Sequence, residues 1–308
     1  MMTRGIALFS EGHFVRALEE FRMSITMDPR HELSHLYSAA CSTALGEFGP
    51  AVESLKQSLE INPNLQGARF LAAMLDALHQ DRSRACEHLS HCYEMNPEFV
   101  LALLWAGSLL IEEKRFGEAG AFVERFLEKK PDSVAALYMS GFVAFEQGDV
   151  ENAVAALKRA TELADGFTAA HRKLAQAYLR LGQKENAASH FKKVVGLDKS
   201  DAESAFQLGT VLSDLHDVES AIGMFEQALS ADPRSAEAHY QIGLLLYVEK
   251  GEIDEAIVEL KKAFELDPSD PSIRLILNEL LFLKKDTEAK KGIDGKSKAA
   301  RRRPAQRT

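Results

Sequence analysis

Apolar residues along this chain recur at the three- and four-residue spacing of one helix face, in runs that break at regular intervals. The breaks keep a period of 34 residues. An alanine returns at Ala17, Ala51, Ala85, Ala119, Ala153, Ala187 and Ala221, and again at Ala256 after a slip of one residue. Another small residue precedes each: Gly5, Ala39, Ala73, Gly107, Gly141, Ala175, Gly209 and, across the slip, Gly243. Two antiparallel helices approach closely only where neither side chain is bulky, so each small pair predicts a tight helix–helix contact. Between the paired residues lies a turn, marked in five units by Gly12, Gly46, Gly148, Gly182 and Gly251. The second break carries proline, at Pro29, Pro63, Pro97, Pro131, Pro233 and the displaced Pro268; Asp165-Gly166 and Asp198-Lys199-Ser200 fill that place in the other two units. The prediction is eight copies of helix, turn, helix.

The unit Ala205-x2-Leu208-Gly209-x2-Leu212, then Ala221-x3-Phe225, then Pro233 resembles the tetratricopeptide repeat, whose pattern places a large residue, Leu-Gly, an aromatic, Ala-x3-Phe and Pro in that order. Ala17-x3-Phe21 and Ala187-x3-Phe191 repeat its second half, and Leu174-Ala175-x2-Tyr178 its first. The resemblance covers residues 3–270. It implies an all-α, right-handed superhelical solenoid of antiparallel helix pairs over residues 1–283, with a truncated first repeat and a capping helix at about 270–283.

In this family the first helix of each pair lines a concave groove where ligands bind. Carried over by register, three columns are expected to face it. The first runs Leu36, Phe70, Leu104, Tyr138, Arg172, Phe206, Tyr240; the second Tyr37, Leu71, Trp105, Met139, Lys173, Gln207, Gln241; the third Ala40, Met74, Ser108, Phe142, Gln176, Thr210, Leu244. They are aromatic and aliphatic through the fifth unit and turn basic and polar at Arg172, Lys173 and Gln176. Two readings stay open: the apolar members anchor a partner segment, with an acidic group on Arg172 and Lys173, or they pack the first helices against each other. No Asn stands in any column, so neither a chaperone-tail carboxylate clamp nor the asparagine ladder of sugar-transferase arrays is implied.

Charge is unevenly spread: residues 284–308 carry +7 and residues 1–283 carry −16. An acidic body argues against nucleic acid as the main partner. The tail reads as an unstructured, solvated segment, with a nuclear-import or nucleic-acid contact and an acidic membrane or protein surface as the other readings of Arg301-Arg302-Arg303. No membrane-length apolar run and no secretory leader stand out. Three cysteines, an odd number, fit reduced thiols and a cytoplasmic or at least intracellular chain, nuclear if the source is eukaryotic.

Catalytic motifs are few. His31-Glu32-Leu33-Ser34-His35 spells the zinc-hydrolase helix motif, but it falls at a repeat boundary with no sequence left for a third ligand. Cys86, His88, His91 and Cys92 cluster without paired Cys-x2-Cys spacing, and Gly292–Ser297 is too short for a phosphate loop with no strand before it. The sequence therefore predicts a non-catalytic scaffold or assembly adaptor with no cofactor and no small-molecule substrate, binding a protein segment. Self-assembly through the short first repeat is the alternative, and zinc hydrolysis at His31 and His35 a further one.

Overall fold

In the computed structural model, which describes residues 1–301 with side chains up to residue 286, the chain is all helical and pairs its helices in chain order. The pairs are α1 (Met2–Ser10) with α2 (Phe14–Met27), α3 (Glu32–Ala44) with α4 (Phe48–Ile61), α5 (Gln66–Leu78) with α6 (Arg82–Met95), α7 (Leu101–Glu112) with α8 (Phe116–Lys129), and α9 (Val134–Gln147) with α10 (Val150–Leu163). They make up one compact unit, Met1–Ala164. A second unit starts at Asp165 and holds α11 (Thr168–Arg180) with α12 (Lys184–Leu197), α13 (Ala202–Asp214) with α14 (Val218–Ala231), α15 (Ala236–Leu245) with α16 (Ile253–Leu266), and the final helix α17 (Pro271–Arg301).

The periodic residues do the work expected of them. All eight alanines from Ala17 to Ala256 are fully buried. Their small partners face one large side chain of the second helix. A Cβ added at Gly5 would meet Phe21 at 2.7 Å, at Gly141 Leu157 at 2.5 Å, at Gly209 Phe225 at 2.8 Å, and at Gly243 Leu260 at 2.8 Å.

Every turn inside a repeat contains a left-handed residue, and in seven of the eight the chain reverses there with the same bond. The amide of the residue after it donates to a carbonyl five residues back, as His13 N–H does to Leu8 O and Asp217 N–H to Leu212 O, satisfying an orphan helix carbonyl. Glycine fills five of these places; Gln80 (φ 64°), Lys114 (φ 60°) and His216 (φ 60°) fill the other three.

The slip at the eighth unit has a structural form. Residues Leu246–Lys250 close one π turn at the end of α15, and there the turn bond reaches six residues back, from Glu252 N–H to Leu246 O. The additional residue is absorbed as a bulge.

Between repeats, Asp28, Asn62, Asn96, Asp198, Asp232 and Asp267 each accept a backbone N–H two residues on, closing the loop at the proline break. The first helix then ties itself to that loop. His35 Nε2 donates to Pro29 O, Arg69 Nε to Pro63 O, His171 Nε2 to Asp165 O and Arg274 to Pro268 O. Arg274 keeps this register, so α17 stands as the first helix of a ninth repeat.

The helix α17 runs beyond the 270–283 cap. Of the basic tail, residues 287–301 lie outside the described side chains and 302–308 outside the described residues.

Candidate functional site

On a first helix, residues at i, i+3, i+4 and i+7 share one face. In the first unit this face bears Leu33, Leu36, Tyr37 and Ala40 on α3; Phe70, Leu71, Met74 and Leu78 on α5; Leu101, Leu104, Trp105 and Ser108 on α7; and Tyr138, Met139 and Phe142 on α9.

The predicted column residues are mostly half-buried, and the aromatic ones pack on each other. Tyr37 stacks on Phe21 (5.2 Å) and meets Phe9 edge-on (5.7 Å). Phe70 lies edge-on to both Phe99 (5.4 Å) and Trp105 (5.5 Å), and Tyr138 lies 6.3 Å from Phe142. Leu36 and Leu71 pack on the core around Ala51 and Leu55, and Leu104 and Met139 on the core around Leu103 and Val123.

What stands into solvent is a second set on the same face. Met74 is 44% exposed, and beside the columns Leu33 is 37%, Leu78 58% and Leu101 62% exposed. Column reading missed the last three, although the signal was available. Leu33 and Leu101 stand three residues before Leu36 and Leu104, and Leu78 four after Met74.

In the second unit the face starts polar. Arg172 pairs with Asp201 and donates from Nε to Ser204 Oγ at 3.1 Å. Asp201 also caps α13 through the Ser204 amide. Burial pushes the Asp201 carboxyl up, but the Ser204 bonds and then Arg172 outweigh it and hold the group below its usual range. The acidic group expected from a partner at Arg172 is thus supplied by the next repeat. Lys173 and Gln176 stand half-buried on the same helix face, and Phe206 and Tyr240 pack on the core around Phe225 and Ile242. Leu275 on α17, 67% exposed, continues the first column, and Phe282 is 72% exposed on the same helix.

Leu101 lines an open cleft of about 720 Å3 with Val100, Phe126 and the loop 130–133, and the other open clefts occupy different places. Four lie between consecutive second helices: α4 and α6 (about 280 Å3), α8 and α10 (about 440 Å3), α12 and α14 (about 750 Å3), and α14 and α16 (about 490 Å3). None of the fifteen predicted site residues lines them.

The sequence's metal candidates are used structurally. His31 Nδ1 accepts the Ser34 amide at 3.2 Å as the cap of α3, while His35, buried, holds the Pro29 carbonyl at 3.0 Å. Cys86 Sγ points to Ala106 O and Cys92 Sγ to Gln66 O; His88 faces Asp76 at 3.5 Å, and His91 faces Glu94. Among the described residues no three His, Cys, Asp or Glu side chains come together as metal ligands. All three cysteines are free and buried, and burial pushes Cys41 and Cys86 up to about 11. Among the described residues no helix is long and apolar enough to cross a membrane.

Comparison with known proteins agrees with this architecture. The tetratricopeptide repeat model matches residues 138–202 and 206–286. No curated protein matches the sequence. Among solved structures, YrrB, described as a TPR protein with an unusual peptide-binding site, is 24% identical, aligns over 63% of this chain and 99% of its own, and gives a TM-score of 0.57. A MamA protein is 25% identical over 56% of this chain and 93% of its own, with a TM-score of 0.53. The C-terminal part of a TPR repeat-containing protein from Cytophaga hutchinsonii spans more, 89% of this chain and 98% of its own, at 13% identity and a TM-score of 0.58. With the small-residue pairs, left-handed turns and loop ties repeating in one register from Gly5 to α17, the chain belongs to the tetratricopeptide repeat family.

Proposed function

We propose that the first unit is a protein-interaction scaffold that holds a partner's apolar helix or extended segment on the face of its first helices. The observation that carries this reading is the exposed set Leu33, Met74, Leu78 and Leu101, standing beside the half-buried aromatics Phe70 and Trp105. Apolar side chains left in water on one face of several elements mark an interaction site more often than a packing surplus. On the same helix face, Phe70 is held edge-on by Phe99 and Trp105, a rigid pairing that loses little side-chain entropy on binding. The peptide-binding description of YrrB lends the reading support from a similar fold.

In this arrangement Leu78 and Leu101 are the anchors, and Tyr37, Tyr138, Met139 and Phe142 extend the surface. The chain acts without chemistry of its own. The test is affinity capture from the source organism with wild-type protein and Leu78→Asp/Leu101→Asp. The variant is expected to keep wild-type helicity and lose the partner. Equal recovery of the same partner by both proteins would remove this site.

A further inference from the structure

The cleft beside Leu101 departs from the register of the array at two adjacent positions. Every other second helix ends on an apolar residue, as at Met27, Met95, Leu163 and Leu197, but α8 ends on Lys129. Six repeats then carry a loop-closing acceptor, Asp28, Asn62, Asn96, Asp198, Asp232 or Asp267, and in this repeat the place falls to Lys130. Lys130 holds much the same loop backbone (φ −135°, ψ 71°) as Asp28 (φ −137°, ψ 93°) but offers the Asp132 amide no acceptor. A loop bond and an apolar helix end are given up together at one place, a departure from local rules that marks function rather than folding.

Both lysines line the cleft with Val100, Leu101, Phe126 and Pro131. Leu101 is 62% exposed and Phe126 4% exposed, so the apolar surface runs from core to solvent. Lys129 and Lys130 are exposed, and among the described residues neither forms an ion pair. Of the two carboxylates on the same cleft, Asp132 is taken by Arg159 at 2.9 Å, and Glu98, exposed, reaches neither lysine. The cleft thus keeps two unmatched cations against one unmatched carboxylate, in a chain whose net charge is −9. The surrounding negative charge repels an acidic partner elsewhere, so the lysines select where its carboxylate sits.

We propose that the partner segment held on the first-helix face is acidic where it crosses this cleft. A bulky Leu, Phe or Trp side chain of the partner packs against Leu101 and Val100, and an Asp or Glu beside it in the partner's sequence pairs with Lys129 and Lys130. This inference rests on the first-helix face being the partner site and adds the chemistry of the segment it takes.

Selection of random linear peptides displayed on phage, against the full chain and against Lys129→Leu/Lys130→Asn, tests it. The variant returns both positions to residues that other repeats carry, so its urea midpoint should equal or exceed that of wild type. A change in binding is then not a loss of fold. Wild type is expected to enrich peptides with Asp or Glu next to a bulky apolar residue, and the variant to enrich apolar peptides without the acidic preference. By fluorescence anisotropy, the peptide most enriched on wild type should bind the variant about tenfold more weakly at about 0.05 M salt. At about 0.5 M salt, where exposed pairs are screened, the two proteins should bind it alike. A wild type that enriches no peptide, peptides without acidic preference, or equal affinity for both proteins at low salt would each overturn the proposal, and the last two leave the first-helix site standing. Peptides that bind Leu78→Asp/Leu101→Asp as tightly as wild type would instead remove that site, and the acidic segment with it.

Discussion

At the residue scale, one backbone position recurs in every repeat and is filled in two ways. Glycine takes the left-handed turn freely at Gly12, Gly46, Gly148, Gly182 and Gly251, but Gln80, Lys114 and His216 carry a Cβ into it. That conformation costs an ordinary residue about 1 kcal/mol, so Lys114→Gly and His216→Gly should each raise stability by about that amount, read as a higher urea midpoint with unchanged slope. The opposite holds inside the pairs: Gly141→Ala places a Cβ against Leu157 and the Ala153 carbonyl, and should lose about 1–3 kcal/mol. Glycine marked five turns in the sequence; the other three gave no sign, because nothing in Gln, Lys or His announces a positive φ. The pairing of Arg172 was equally opaque, since Asp201 stands 29 residues away at the start of the next repeat and nothing in the register links the two. A pH dependence also sits at this scale. His171 donates from Nε2 to Asp165 O, so its Nδ1 accepts from His190 Nδ1–H at 2.9 Å, and Tyr178 stacks on the second ring. Burial, and then His171, hold His190 below its ordinary range. A histidine depressed in the folded state takes up its proton more readily when unfolded. Its contribution is therefore complete above the unfolded value near 6.5 and is lost as the pH falls through it. Urea midpoints should drop between about pH 7.5 and about pH 5.5, and His190→Gln should flatten that drop.

At the element scale, the helix pairs were readable because their signal is repetition: small residue, turn, alanine and proline agree eight times in register. The slip between Gly243 and Ala256 was visible as a number, but its form was not. A helix takes one extra residue either by lengthening the loop or by a bulge, and the structure puts it in the π turn Leu246–Lys250. Deleting Val248, which is 61% exposed, returns the turn bond from Glu252 to Leu246 to the five-residue span of the other repeats. That deletion should leave the thermal midpoint unchanged or higher. Deleting Ser213 from α13, where the helix is already regular, rotates its end off the core around Leu208 and Val211 and should lose about 2–4 kcal/mol.

At the scale of the whole molecule, the residues that repeat build the array, and specificity belongs to positions that vary around them. The columns carried over by register lie on the first-helix face but fall mostly on its half-buried floor, because column members are conspicuous by being aromatic. Burial separates floor from surface and moves the emphasis to Leu78 and Leu101. The most direct measurement is site-specific photo-crosslinking in the source cell, with a photoreactive side chain at Leu78 or Leu101 and, as control, at Glu124 on the second-helix side. A partner held on the first-helix face gives one discrete adduct at both first-helix positions, absent at Glu124 and abolished at the Leu78 position by Leu101→Asp. Adducts at Glu124 alone, or the same adduct at all three positions, would contradict a partner site on the first-helix face.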